Sequence, residues 1–425
     1  MNHRLYRIYN QLPNPLQNLF VTAYNILSYK RRMGGQYSHW LNHFRNNFNL
    51  SIDELQKEQL RRLKFLLEHA QKNSPYYSIL FNEIDFSNFT SISDLQALPF
   101  LTKEDIRKNI DEIISGPKSK LKLAKTGGTT GKSLNVYYTY NNGQERFAML
   151  DAFRGEFGYK LGKRTAWFSG KSLITARDIR KNRFWKTDYW YKVRYYSTFH
   201  IKDDYLKHYI HDLMKFKPEF MVGFPSSILE IARYGLKNGY EFPSGVIKAI
   251  FPTAETLTKE MRADIETFFQ TRMYDQYASS EGAPFIFECK KGNLHMELQS
   301  GVFEVLDEND QPSQTGRLIV TSFTTEGTPL IRYDIGDSVT LEDPDKVCSC
   351  GNNNPMVKEI LGRIDDYVYS PENGKINIVN IANAIKDVKG IVRYQVIQEE
   401  LNSLMFMIVA DNQIYNKDCE TLVSK

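Results

Sequence analysis

At 425 residues, 41% of them hydrophobic and 25% charged, the chain has the composition of a globular protein with room for two or more domains. Four cysteines cannot staple a chain of this length, which excludes a disulfide scaffold. A net charge of +5, from 55 Lys and Arg against 50 Asp and Glu, is too small to make nucleic acid the expected partner.

The first hundred residues read as helical. Between Leu16 and Leu27 apolar residues are broken by polar ones every few positions, and no small-residue cleavage site follows, so no secretory leader is expected. No run approaches the ~18 apolar residues of a membrane span, and a cytoplasmic protein is expected. The helix ends in Lys30-Arg31-Arg32 and can lie on a membrane surface; docking on the protein's own body is the simpler expectation. Ser51 to Gln71 opens with a Ser-x-x-Glu capping box and continues with leucines at helical spacing. Further caps at Ser93-Asp94-Leu95 and Thr102-Lys103-Glu104-Asp105 surround Leu98-Pro99-Phe100.

Ala124-Lys125-Thr126-Gly127-Gly128-Thr129-Thr130-Gly131-Lys132-Ser133 combines glycines, hydroxyls and a cation, a composition suited to phosphate oxygens. It is not a P-loop. Thr126 stands where G-x-x-x-x-G-K-S/T needs its first glycine, and a strand-like run, Leu134 to Tyr140, follows where a helix should begin.

Beyond it, strands near Val136 to Tyr140, Thr165 to Phe168 and Ile247 to Phe251 alternate with helices near Tyr205 to Lys215, Ser226 to Asn238 and Lys259 to Gln270, predicting an α/β fold with largely parallel sheets. Residues 160–194 hold eleven Lys or Arg against two Asp, interleaved with Phe184, Trp185, Tyr189, Trp190 and Tyr191. Such a stretch fits an anionic lipid surface, a CoA phosphate or a phosphorylated sugar carrier; a solvated loop has the same composition. After Gln270 the pattern turns to antiparallel β structure (Leu294 to Leu306, Gly316 to Phe323). A short tail follows, with a helix near Ile378 to Lys386 and strands near Val392 to Gln398 and Ser403 to Val409. The expected division is a helical segment at 1–100 packed on a main domain at 101–361, and a small, mobile α+β domain at 362–425.

Three later segments can carry chemistry. In Tyr277-Ala278-Ser279-Ser280-Glu281-Gly282 the tyrosine can stack on a base and the carboxylate can hold Mg²⁺ beside phosphates. In Arg332-Tyr333-Asp334-Ile335-Gly336-Asp337 the last aspartate can accept from vicinal ribose hydroxyls, although a surface turn reads the same way. Gly362-Arg363-Ile364-Asp365-Asp366 puts a cation, a turn and two carboxylates at the expected boundary. Separately, Cys289 and His295 flank a turn at Gly292-Asn293, and Cys348-Ser349-Cys350-Gly351 forms a knuckle. Three thiolates and an imidazole complete a tetrahedral structural zinc site, with free buried thiols and a surface histidine as the alternative. Cys419 is left over.

Taken in order with Ala254-Glu255, these segments resemble the adenylate-forming superfamily of acyl-CoA synthetases. Leu98-Pro99-Phe100-Leu101-Thr102-Lys103, Gly223-Phe224-Pro225-Ser226-Ser227 and the Cys348–Gly351 knuckle narrow the resemblance to the phenylacetate-CoA ligase-like branch, the kind found with capsule and polysaccharide biosynthesis. The resemblance implies that Thr126, Gly127, Gly128, Thr129, Thr130, Gly131 and Lys132 close over the ATP phosphates. It puts Ala254, Glu255, Tyr277 and Ser280 at the nucleotide, the first three flanking adenine. Glu281 would hold Mg²⁺, Asp337 the ribose hydroxyls, and Arg363 a place near the ribose. Lys132, Glu281 and Arg363 would be the catalytic set and Asp365 the hinge of the tail domain. It also supports zinc at Cys289, His295, Cys348 and Cys350.

One element of the pattern is missing. The tail domain in this superfamily carries a Gly-Lys pair, whereas the 59 residues after Asp366 offer Gly374-Lys375 too early and Lys389-Gly390 in reverse order, so the tail is expected to be shortened. The expected protein is an ATP-dependent, AMP-forming ligase that passes an activated acid to CoA or an amine. An adenylyl transferase and a weakly catalytic nucleotide- or acyl-binding scaffold are the alternatives.

Overall fold

The structure is a computed structural model that describes residues 8–125, 134–171, 173–363, 367–371, 374–377 and 391–410. The phosphate-loop residues Thr126 to Lys132, the hinge Asp365, Cys419, the helix expected near Ile378 and the side chain of Arg363 lie outside the described residues.

The helices are α1 (Asn14–Arg32), α2 (Tyr37–Asn46), α3 (Ile52–Asn73), α4 (Pro75–Leu80), α5 (Lys103–Ile113), α6 (Tyr140–Gly155), α7 (Ala176–Arg180), α8 (Asp203–Phe216), α9 (Pro225–Lys237) and α10 (Lys259–Phe269). Local chemistry sets several starts. The Ser51 hydroxyl accepts from Glu54 N while Glu54 returns a bond to Ser51 N, and Thr102 and Asp105 repeat the device at α5. A strand expected to run to Tyr140 stops at Tyr138, because the Thr139 hydroxyl accepts from Asn142 N and caps α6.

Two sheets organise the body. Strands β3 (Thr165–Ser169), β4 (Trp185–Asp188), β5 (Val193–Ser197), β6 (Phe220–Gly223) and β7 (Ala249–Pro252) form a five-stranded sheet in the order β4-β5-β3-β6-β7. It is parallel except at the edge strand β4. Every residue of β6 and β7 is buried, as expected of strands covered on both faces. One core face packs Leu206, Tyr209, Ile228, Ile231, Ile265 and Phe268 of α8 to α10, and the other stacks Tyr159, Phe220 and Phe251 against Phe153 of α6.

Residues 160–194 are therefore no solvated loop. They supply β3, β4 and the start of β5, and Lys186 is wholly buried, donating to Asp178 (2.8 Å) and Asn14 (2.9 Å).

The second sheet has seven antiparallel strands in the order β11-β12-β13-β14-β10-β9-β8. They are β8 (Gln276–Tyr277), β9 (Ile286–Glu288), β10 (Leu294–Met296), β11 (Gly301–Leu306), β12 (Thr315–Ser322), β13 (Tyr333–Leu341) and β14 (Met356–Arg363). Leu63, Leu66, Leu67 and Ala70 of α3 join its core. Leu101 bonds across to the chain at Arg332 O and Asp334 N, while Arg332 pairs with Glu304 and lies over the Phe100 ring, so two motifs some 230 positions apart interlock.

A small hairpin, β1 (Lys122–Lys125) with β2 (Asn135–Tyr138), flanks the phosphate-loop residues. Near the C-terminus are two further hairpins, β15 (Tyr367–Ser370) with β16 (Gly374–Asn377) and β17 (Ile391–Glu400) with β18 (Ser403–Ala410). The Gln398 amide joins them by bonding Tyr369 N at 2.6 Å and Tyr369 O at 2.7 Å. No described helix is long and apolar enough to cross a membrane.

Candidate functional site

In open α/β sheets, ligands settle outside the carboxyl ends of the strands. Here β6 and β7 end side by side. Thr253 N donates to Gly223 O at 3.0 Å, which brings Gly223-Phe224-Pro225-Ser226 against Ala254-Glu255. Ala254 holds φ at +65° and directs Glu255 to the start of α9, where its two oxygens accept from Ser226 N and Ser226 Oγ, each at 2.9 Å. A carboxylate there is favoured by the unpaired amides of the helix N-terminus. Gln276, just before Tyr277, reaches back to Pro252 O at 2.9 Å and fixes β8 beside the end of β7.

The centre of the site is a contact between two strands of the seven-stranded sheet. Tyr277 Oη donates to Asp337 Oδ2 at 2.6 Å, and Asp337 faces Arg363 in the register of β13 and β14. A phenol on a carboxylate is a strong, charge-assisted bond.

Glu281 is buried in a loop held by groups that sequence reasoning did not identify. Arg146 Nη1 donates to Gly282 O (2.8 Å), Ala283 O (3.0 Å) and Thr324 Oγ1 (2.9 Å). Tyr138 Oη donates to Ser280 O at 2.8 Å, and burial pushes its phenol up to about 12, with the Glu281 charge adding to the shift. Gly282, at φ +101°, has Thr325 and Tyr138 within 2.5–2.7 Å of where a Cβ would stand, so a side chain there would force the loop apart. Tyr138 follows the phosphate-loop residues and Arg146 lies on the helix after them, so this staple ties the Glu281 loop to that end of the fold. No local signal marked Arg146; only its burial against three acceptors does.

Cys289, His295, Cys348 and Cys350 converge at the other end of the same sheet, their ligand atoms all within 4.8 Å of one another. Cys289 Sγ and Cys348 Sγ are 3.7 Å apart, and Cys350 Sγ and His295 Nε2 are 3.6 Å apart. A tetrahedron with Zn–S near 2.3 Å and Zn–N near 2.0 Å has edges of roughly 3.5–3.8 Å, so the donor set fits that ion. The Gly292 turn, with Cys289 N donating to Asn293 O at 2.8 Å, brings the first two ligands together. His295 Nδ1 lies 3.0 Å from Asn354 O, which would fix the proton there and leave Nε2 to a metal. A cavity of about 200 Å³ opens beside the knuckle, lined by Phe44, Phe153, Phe287, Glu297 and Cys350, with neither Tyr277 nor Asp337 in its lining.

Comparisons with known proteins fall on this whole frame. Residues 368–425 match the family model of the CapK C-terminal domain. Protein CapK of Staphylococcus aureus is 36% identical over 407 residues, covering 95% of this chain and 88% of that protein. Phenylacetate-coenzyme A ligase of Pseudomonas putida is 26% identical over 330 residues, covering 74% of this chain and 72% of that one. Among solved structures, 2-hydroxyisobutyryl-CoA ligase in its postadenylation state shares the fold with a TM-score of 0.65 at 17% identity, covering 88% of this chain and 83% of that one. The chain belongs to the CapK family, in the phenylacetate-CoA ligase-like branch of the AMP-forming acyl-CoA ligase superfamily.

Proposed function

We propose that this protein activates a carboxylic acid with ATP, forming an acyl-adenylate and pyrophosphate, and transfers the acyl group to CoA or to an amine acceptor. The observation that carries the proposal is the Tyr277–Asp337 contact beside Arg363, at the strand ends that Gly223 and Ala254-Glu255 close. In that cleft Tyr277 and Ala254-Glu255 flank the adenine and Asp337 accepts from the ribose hydroxyls. The loop from Thr126 to Lys132 closes over the phosphates, and Ser280 lies beside them. Arg146 and Tyr138 hold Glu281 in place for Mg²⁺, which when bound neutralises phosphate charge. Displacement at the α-phosphate needs alignment and charge neutralisation more than covalent help from the protein.

The phenylacetate-coenzyme A ligase and 2-hydroxyisobutyryl-CoA ligase relatives support CoA as acceptor. An acceptor among polysaccharide precursors belongs to the same proposal. Zinc at Cys289, His295, Cys348 and Cys350 is structural in this proposal, since four protein ligands leave no open position. A C-terminal domain at 362–425, turning about Asp365, separates the two half-reactions.

Carboxylate-dependent exchange of labelled pyrophosphate into ATP tests the activity. Exchange that disappears in Lys132→Ala and Glu281→Gln is the expected result. ATP binding without exchange for any acid in a broad panel would leave a binding protein, and AMP found covalently on an acceptor would make it an adenylyl transferase. Zinc below about a tenth of an equivalent, unchanged in Cys348→Ser, would remove the metal from the proposal.

A further inference from the structure

Helix α1 is built inside out. Its inward face is largely polar, with Gln17, Asn18 and Asn25 buried beside Val21 and Tyr29: Asn18 Oδ1 accepts from Thr187 N (3.1 Å), and Asn25 Nδ2 donates to Asp188 (2.7 Å) and Tyr195 (2.9 Å). Gln17 is buried in the same interface, bonded to Lys186 and to Tyr9 O. Its outward face carries Leu16, Leu19 and Leu27, with 46%, 53% and 63% of their surfaces exposed, alongside Ala23 and Tyr24. A helix resting on a globular protein in water has the opposite pattern.

The exposed face continues onto the β4–β5 turn. Tyr189 N donates to Thr22 Oγ1 and Asn18 Nδ2 donates to Tyr189 Oη, both at 3.0 Å, which holds the turn along the helix. Next to it, Trp190 has 68% of its surface exposed. A contiguous apolar and aromatic face of this kind marks a surface meant to be covered.

Charge identifies what covers it. The first 52 residues, the segment that contains α1, hold six Lys or Arg and no Asp or Glu, while the remaining 373 hold 49 cations against 50 anions. Lys30 and Arg31 stand exposed at the end of the apolar stripe, and Lys160, Lys163 and Lys192 line a hollow beside Tyr189, with Asp188 and Glu219 as its acids. A symmetric contact with a second copy would press two acid-free, cationic segments together. A bilayer with anionic headgroups satisfies every part of the pattern: cations at the phosphates, Trp190 and Tyr189 at interfacial depth, leucines at the acyl boundary. We infer that α1 and the β4–β5 turn form an interfacial docking face for an anionic membrane, the helix lying in the plane of the surface while its polar side stays bonded to β4.

The test uses the full chain with phosphatidylcholine vesicles, with and without added phosphatidylglycerol. The protein is expected to co-sediment with the anionic vesicles only, to detach as salt rises, and to show a blue-shifted tryptophan emission that Trp190→Phe removes. The double variant Leu19→Asp, Leu27→Asp is expected to bind about tenfold less or weaker still, with its melting temperature unchanged because those leucines face outward. Unaltered binding by the double variant, or no binding of the wild type to anionic vesicles at low salt, overturns the inference. A wild-type dimer that the double variant converts to monomer also overturns it and gives the face to a second copy.

Discussion

The two ends of the β13–β14 hairpin do different work with the same backbone. At one end Asp337 pairs in register with Arg363 and accepts from Tyr277; at the other, Leu341 pairs with Val357 and the loop beyond holds Cys348 and Cys350. Roughly 13 Å of strand separates them, at about 3.3 Å per residue. The knuckle end is closed, each donor facing three others. The Asp337 end is half-buried. Between them the pairing shifts twice, at Ser338/Val339 and at Thr340/Leu341. Such irregularities bend and twist the strand between the two ends, and a slip of one residue would turn Asp337 to the other face. A metal bound at the closed end would hold the open end in place.

The largest effect should come from opening the closed end. Chelation, or Cys348→Ser, is expected to lower stability by about 3 kcal/mol or more and to abolish pyrophosphate exchange with it, read by thermal melting and exchange on the same sample. A variant that melts normally yet loses exchange would uncouple the two ends.

Asp337→Ala should do the reverse, lowering kcat/KM for ATP at least ~100-fold through loss of charge-assisted hydrogen bonds while the melt stays near wild type. Tyr277→Phe removes one such bond and should cost about tenfold, mostly in KM for ATP.

The smallest effect is a pH-dependent one. Burial, helped by the neighbouring Glu288, holds the Asp275 carboxyl up at about 6 beside β8. The folded chain therefore keeps a proton that the unfolded chain releases near pH 4. The stability from this group is present below that point and is lost as pH rises through about 6. Asp275→Asn should match the wild type at pH 4 and be about 1–2 kcal/mol more stable at pH 8; a constant difference across that range would refute the assignment.

Some of this was legible in the chain because it is local. Ser51 and Glu54 close their capping box within one turn, Gly292 makes the hairpin that joins Cys289 to His295, and the order of the motifs gave the family. Other parts were not. The expected strand at Tyr140 failed because a single hydroxyl, that of Thr139, outweighed an aromatic, β-branched run. Arg146 carries no motif, since its function of bonding Gly282 O, Ala283 O and Thr324 exists only when α6 meets the loop after β8 and the turn after β12. Within 160–194 composition could not show which cations stay outside: Lys186 pairs with Asp178 inside the body, whereas Lys160, Lys163 and Lys192 line a hollow beside Tyr189.

By itself, then, the sequence determined what neighbours along the chain can decide: caps, turns, strand alternation, and which residue types a phosphate, a ribose or a metal would need. The tertiary structure decided which of these meet. It set Tyr277 on Asp337, brought three cysteines and a histidine into one knuckle, and turned the amide-bearing side of α1 inward, because Thr187 N, Asp188 and Tyr195 would otherwise be buried without the partners that Asn18 and Asn25 supply. A helical pattern gives the angle between two faces; only the surface it meets decides which face is left for a partner.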